Sequence, residues 1–376
     1  MTPEGAFTMN ILNWLKDRWQ HAAEHYTYYW IDGKNVRLPG DKPFTETQLE
    51  AGNHYFRLWL VDMFLSNDRE WGSAWHPAVY SAVRFQFGNQ EEQISHVAGQ
   101  SMIKDIDLAG ANHNVTMNYQ VTPLVPFNGG TVELETGLLA MQGKNDVRAL
   151  LGVLGSFSKL LVVPQLSAAL SIAGPLADGI SQLIGISDAR PTLRFHDAWT
   201  GGGANPLRSG YFVVLADEPD ARKSEKFSVR DNGVYYDGRR LSGVHYMLFR
   251  IDGLETRDDW EHLASIQQPF EEAISKLQES IAEPDPEVQK KIVAEAERRL
   301  GAALLAAFRA RELSRVVGRN QVVAALKQRF QQAKAQLGAG AFPSETPGSL
   351  ADAMRNPMPP EEAMALGEIA ERDLYL

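Results

Sequence analysis

The stretch Ala149–Ser187, ALLGVLGSFSKLLVVPQLSAALSIAGPLADGISQLIGIS, holds one positive and one negative charge, Lys159 and Asp178, in a chain of 376 residues of which 22% are charged. A segment this apolar needs complete cover, from the protein's own core, from a partner or from lipid. Its longest uncharged run, Leu160 to Ala177, is 18 residues and is interrupted by Pro164, Gly174 and Pro175. A single membrane-spanning helix is therefore disfavoured, because roughly 20 uninterrupted apolar residues are needed to cross hydrocarbon. Two shorter helices fit better, over about Val147–Val163 and Leu166–Gly185. Leu150, Leu154, Phe157 and Leu161 share one face of the first, and Leu166, Leu170, Ile180 and Leu183 one face of the second.

Outward from this hairpin on both sides lie strand patterns. Ahead of it are Tyr55–Leu65, Ala78–Phe87, Val115–Val121 and Thr131–Met141; behind it are Thr192–His196, Gly210–Ala216, Phe227–Tyr236 and Val244–Ile251. Arg84, Phe85, Gln86 and Phe87 alternate polar with apolar, and Val132, Leu134 and Thr136 face away from Glu133 and Glu135. Asn128-Gly129-Gly130, Asp231-Asn232-Gly233 and Asp237-Gly238 are tight-turn signals, the last two inside one meander. The expected fold is α+β: an antiparallel β-sandwich with the apolar hairpin inserted between its fourth and fifth strands.

Helical periodicity occupies both ends. Leu12, Leu15, Trp19, Ala22 and Tyr26 predict an amphipathic helix over about Asn10–Ile31. Six of the eight tryptophans fall within the first 75 residues, which favours packing of that helix on the sheets. Thr256 with Asp259 resembles a capping box ahead of Leu263, Ile266, Phe270, Ile274, Leu277 and Ile281, with a step expected at Pro269. Asp285-Pro286 starts a second helix, and Arg319–Leu337 forms a third; together they read as a bundle. The expected divisions are a helical segment over 1–54, the β-rich unit over 55–255 with its insertion at 147–187, the bundle over 256–337, and a linker with acidic tail over 338–376.

The chemistry is sparse. A chain without cysteine has no disulfides, thiolate metal sites or cysteine nucleophiles. His21-Ala22-Ala23-Glu24-His25 spells the H-x-x-E-H pattern of inverted zinc metallopeptidases, in which two histidines one helical turn apart share a metal. The further glutamate such a site requires is not supplied: the region around position 100 offers Gln100, Lys104 and Asp105, and the nearest carboxylates, Glu91 and Glu92, read as loop. His196-Asp197 precedes Gly201-Gly202-Gly203 and suggests a cleft with a glycine rim. No G-x-S-x-G elbow and no phosphate-binding glycine loop is present, Gly152–Ser156 lying inside the apolar hairpin. His96, His113 and His245 read as structural. The sequence nominates no catalytic residue, no metal ligand and no cofactor.

Charge placement is more directive. The net charge of −10 opposes nucleic-acid binding by the chain as a whole. Between Arg298 and Lys334, however, nine basic residues face the single acid Glu312, whereas Ala335–Leu376 carries seven acids against two arginines. The leading expectation is a non-enzymatic, cytoplasmic, bacterial-type interaction module within a multi-protein assembly. Its expected contact residues are Leu154, Phe157, Leu170 and Ile180 on the hairpin, and Arg309, Arg311, Arg315, Arg319, Lys327 and Arg329 on the bundle. Its expected partner is another protein. A membrane-perturbing effector that releases the hairpin is the alternative, and a zinc hydrolase at His21, Glu24 and His25 the second.

Overall fold

The computed structural model describes residues 26–40, 42–66, 69–70, 73–99, 114–142, 166, 170, 190–218, 221–257 and 259–338. The chain is mixed α+β, with mostly antiparallel sheets followed by three helices, and divides into two compact units, Met1–Leu254 and Glu255–Leu376. Among the described residues no helix is long and apolar enough to cross a membrane.

In the first unit the strands are β1 (Thr27–Ile31), β2 (Arg37–Leu38), β3 (Lys42–Pro43), β4 (Tyr55–Phe64), β5 (Arg69–Glu70), β6 (Ser73–Phe87), β7 (Gln90–Gly99), β8 (Asn114–Gln120), β9 (Val125–Pro126), β10 (Thr131–Gln142), β11 (Arg190–Thr200), β12 (Gly210–Leu215), β13 (Phe227–Arg230), β14 (Gly233–Tyr236), β15 (Arg239–Arg240) and β16 (Tyr246–Leu254). One sheet runs β1-β12-β16-β4-β8, with β9 also on β4; a second runs β11-β10-β6-β5, with β7 also on β6. Every pairing in both is antiparallel.

These two sheets share one core. Phe56, Leu58 and Leu60 of β4, Phe212 and Val214 of β12, and Met247, Phe249 and Ile251 of β16 meet Val83 and Phe85 of β6, Leu134 and Leu138 of β10, and Phe195 and Trp199 of β11. Each set obeys the two-residue period of a strand. The Phe212 and Phe249 rings stack at 5.3 Å on adjacent strands, and burying each contributes about 1.5–3 kcal/mol.

The larger sheet is buried on both faces. The opposite face of the larger sheet is covered by the small sheet β13-β14-β15: Ile31, Val61, Tyr211, Val213, Leu215, Tyr246 and Leu248 pack on Phe227, Val229, Val234 and Leu241. The reason is legible in Tyr211–Leu215 and Tyr246–Phe249, continuous apolar runs of the kind strands buried on both faces require. The small sheet turns where expected, with Asp231 and Asn232, then Asp237 and Gly238, at positive φ.

Three expectations are corrected. The N-terminal helix cannot extend to Ile31, because Thr27–Ile31 is β1, paired with β12; its β-branched and aromatic residues suit a sheet edge. The rest of that expected helix lies outside the described residues. Gln90–Gly99 is a full strand on β6, not a loop around Glu91 and Glu92. Thr256 and Asp259 do not cap the first bundle helix: Asp259 pairs with Arg257, and the helix begins after Leu263 without a side-chain cap. Of the insertion at 147–187 only Leu166 and Leu170 are described; both are helical, Leu166 is fully buried in the main core, and Leu170 is half-buried against it.

The second unit consists of α1 (Ala264–Ala282), which continues through Pro269, α2 (Pro286–Arg309) and α3 (Val317–Gly338). Asp285 caps α2 by accepting from the Glu287 amide at 2.9 Å, with Pro286 in the first turn, where its missing N–H costs nothing. Trp260, Ile266, Phe270 and Leu277 pack on Ala296, Ala303, Ala307, Val322, Leu326 and Phe330. The small residues of α2 allow close approach of its neighbours.

Candidate interaction surfaces

The basic run divides into arginines that build the bundle and arginines that face solvent. Arg329 donates to Glu261 at 2.7 Å and lies 5.5 Å over the Trp260 ring. Arg319 lies 5.4 Å over Phe308 and reaches the Ala310 carbonyl at the end of α2. Lys334 pairs with Glu297 at 2.6 Å, and Arg299 bridges Glu272 and Glu295. Lys327 is half-buried on α3. Arg309, Arg311 and Arg315 are exposed, clustered at the elbow between α2 and α3.

Local structure explains that clustering. Leu313 is buried in the bundle core, and buried Ser314 caps α3 by accepting from the Gly318 amide at 2.8 Å. With those two side chains drawn inward, Arg311 and Arg315 on either side are turned out. Val316, 53% exposed, stands beside them. Of the expected hairpin contacts, Leu154, Phe157 and Ile180 lie outside the described residues, as do His21, Glu24, His25, His113 and Gly152–Ser156. Leu170 packs on the main core.

His196 and Asp197 do not converge. Strand alternation sends them to opposite faces of β11: His196 stands across from Glu135 on the outer face, while Asp197 accepts from Asn205 Nδ2 at 2.9 Å and from the Ala198 amide. The Tyr28 hydroxyl is raised above its ordinary pKa by burial first and then by the Asp197 carboxylate. Two further histidines, His96 and His245, are held within the β-rich unit. His96 is buried with its Nδ1 3.4 Å from the Tyr119 hydroxyl, and burial pushes its pKa down to about 4. His245 accepts from the Ser66 amide at 3.0 Å and is likewise lowered by burial. Among the described residues no three His, Asp or Glu side chains form a metal-binding group.

Two polar clusters in the β-rich unit escape sequence reasoning. The first centres on Asp62, fully buried between the six-stranded and three-stranded sheets. A β-bulge at Leu60–Asp62 places successive residues Val61 and Asp62 on the same side. Asp62 accepts from Arg240 Nη2 at 2.7 Å, from the Tyr246 hydroxyl at 2.7 Å and from Thr116 Oγ1 at 3.1 Å. Burial raises its pKa above the usual carboxylate value, and Arg240, Tyr246 and Thr116 oppose that shift. Burial, the largest single influence, works to lower Arg240, but Asp62, Tyr246 and Tyr235 together outweigh it and the guanidinium is raised. Tyr246 is raised by burial and by Asp62.

The second cluster lies on β4 and β16. Trp59 Nε1 donates to Asp252 Oδ2 at 2.6 Å, and Arg250 pairs with Asp252 Oδ1 at 2.9 Å. Arg250 lies 4.8 Å over the Trp59 ring and Arg57 5.6 Å over it. The available signal was four polar or charged residues, Arg57, Asp62, Arg250 and Asp252, inside otherwise apolar strands. A shallow pocket of about 380 Å³ is lined elsewhere by Arg37, Leu38, Arg230 and Asp231.

No family model, curated protein or solved structure matches the chain.

Proposed function

We propose that the chain is a non-enzymatic, cytoplasmic interaction protein, one component of a multi-protein assembly, whose contact surface is the elbow between α2 and α3. Its β-rich unit is a sandwich whose apolar helical insertion serves as core. The observation that carries the reading is the exposure of Arg309, Arg311 and Arg315 around exposed Val316. Exposed guanidinium groups around an apolar residue suit an acidic protein surface, since arginine pairs with carboxylates in two-point geometry and the apolar centre excludes water. An overall charge of −10 disfavours a nucleic-acid partner, whose phosphates would be repelled by the rest of the chain.

The test places a photo-cross-linking residue at Val316 in cells that make the protein naturally. A specific adduct with an acidic protein is expected, lost when Arg309, Arg311 and Arg315 are all changed to Glu and retained when exposed Arg230 in the β-rich unit is changed instead. An adduct pattern indifferent to the triple change would overturn the proposal.

A further inference from the structure

Among the described residues Arg57, Arg194, Arg240 and Arg319 bury an Nε that makes no hydrogen bond. Three of these guanidinium groups are held through another nitrogen: Arg194 Nη2 reaches Glu135 at 3.1 Å, Arg240 Nη2 reaches Asp62, and Arg319 Nη2 reaches the Ala310 carbonyl. Arg250 pairs with Asp252 through its Nε at 2.9 Å. Arg57 makes neither an ion pair nor a hydrogen bond among the described residues; its contact is the Trp59 ring.

Its isolation has a structural cause. Asp252 stands directly across from Arg57 in the β4–β16 ladder and would be its natural counter-ion. Both carboxylate oxygens of Asp252 are engaged elsewhere, Oδ2 by the Trp59 indole and Oδ1 by Arg250. The Arg57 head group is thus left on a sheet face, positioned by an aromatic ring, with its buried Nε lacking an acceptor. A buried N–H in that state is costly to leave unpaired, so the position favours an acceptor from outside.

We propose that Arg57 anchors a carboxylate-binding site on this face of β4, framed by Trp59 and Arg250. Charge decides the ligand class. Two arginines against Asp252 leave the cluster one positive charge in excess, which a single carboxylate neutralises. A phosphate dianion would reverse the sign beside Asp252 and is disfavoured. The planar fork of a guanidinium also matches the two oxygens of a carboxylate. The ligand is a small carboxylate or the carboxylate end of a larger molecule, and the site is independent of the elbow in the helical unit.

The experiment uses the full-length protein labelled with 5-fluorotryptophan and followed by fluorine NMR, the Trp59 resonance being assigned by its loss in Trp59→Phe. Titration with acetate is expected to shift that resonance saturably, with no shift from chloride at the same ionic strength. Arg57→Gln should abolish the response, and Arg57→Lys should weaken it ~10-fold by removing the fork while keeping the charge. The remaining tryptophan resonances show that each variant is folded. No saturable shift with acetate, or an equal shift in Arg57→Gln, would overturn the site. A tighter response to inorganic phosphate than to acetate would overturn its assignment to carboxylates.

Discussion

The guanidinium of Arg240 occupies the space where a β-carbon at position 233 would stand, so Gly233 and Arg240 fit together only because one of them has no side chain. Gly233 opens β14 directly after the Asp231-Asn232 turn, and across it Arg240 reaches Asp62 in the neighbouring layer. A single glycine thus holds open the path of the cation that compensates a buried carboxylate.

Gly233→Ala should therefore act as an electrostatic mutation. Displacing Arg240 leaves Asp62 buried and without its counter-ion, at a cost of about 3 kcal/mol. Arg240→Met should cost a similar amount. Asp62→Asn should cost less, because Arg240 retains access to water, with a 28% exposed side chain, whereas the Asp62 side chain has none. Urea unfolding of the three variants, and of Gly233→Ala combined with Asp62→Asn, checks the order. A double variant as unstable as the sum of the two singles would show that the glycine acts on something other than Asp62.

His96 gives stability an acid limit. Its folded pKa of about 4 lies below the ordinary 6.5, so it takes up a proton more readily when unfolded. Its contribution is complete above about pH 6.5 and is lost as pH falls toward 4; the difference corresponds to about 3 kcal/mol. Asp62, raised by burial, works in the opposite sense, its contribution being lost as pH rises through its folded value. Urea midpoints at pH 7 and pH 4.5 should differ markedly less for His96→Gln than for the wild type. Equal acid sensitivity of the two proteins would refute the assignment.

Leu166 and Leu170 separate a structural insertion from a releasable one. Leu166→Ala should cost about 2–5 kcal/mol as a fully buried large-to-small change, and half-buried Leu170→Ala should cost less. Leu170→Asp should leave little soluble protein, and the wild type should not permeabilise liposomes. Dye leakage by the wild type, lost in a still-folded Leu170→Asp protein, would reinstate the membrane-effector alternative.

Opposite charge on the segments before and after Ala335 carries a salt-dependent expectation. The seven acids of Ala335–Leu376 are tethered close to the basic run, so their effective concentration at the elbow is high. Removing the residues after Gly348 should raise the salt concentration that elutes the protein from heparin, and the Arg309, Arg311 and Arg315 triple change should cancel the increase. Identical elution of the truncated and complete chains would show that the tail does not screen the elbow.

The strands were legible where alternation is strong, as in Thr131–Gln142, and where tight turns bound them, as in the β13-β14-β15 meander. Strand β7 was hidden because its first half, Gln90-Glu91-Glu92-Gln93, is polar and resembles a loop. Strand β1 was hidden by the helical spacing that ends at Tyr26 and runs on in phase into Thr27–Ile31. The elbow could be sorted only partly from sequence: exposed Arg311 and Arg315 look like the less exposed Arg319 and Arg329 of the same run, and Glu261, which Arg329 reaches, is 68 positions away. The Arg57 cluster depends in the same way on β4 and β16, strands nearly 200 residues apart that only the fold makes neighbours.

That separation also governs how the chain is assembled. Among the described residues strand β1 pairs only with β12, and the central strand β4 lies beside β16, so the larger sheet cannot close until Leu254 has been synthesised. Until then the early strands carry unpaired edges and apolar faces, a slow and aggregation-exposed interval typical of non-local pairing. The helices of the second unit, by contrast, are made of local turns and follow last. Truncation before β16 would remove the partner of an already central strand, so fragments ending there should fail to fold and be captured by chaperones, not behave as smaller versions of the protein.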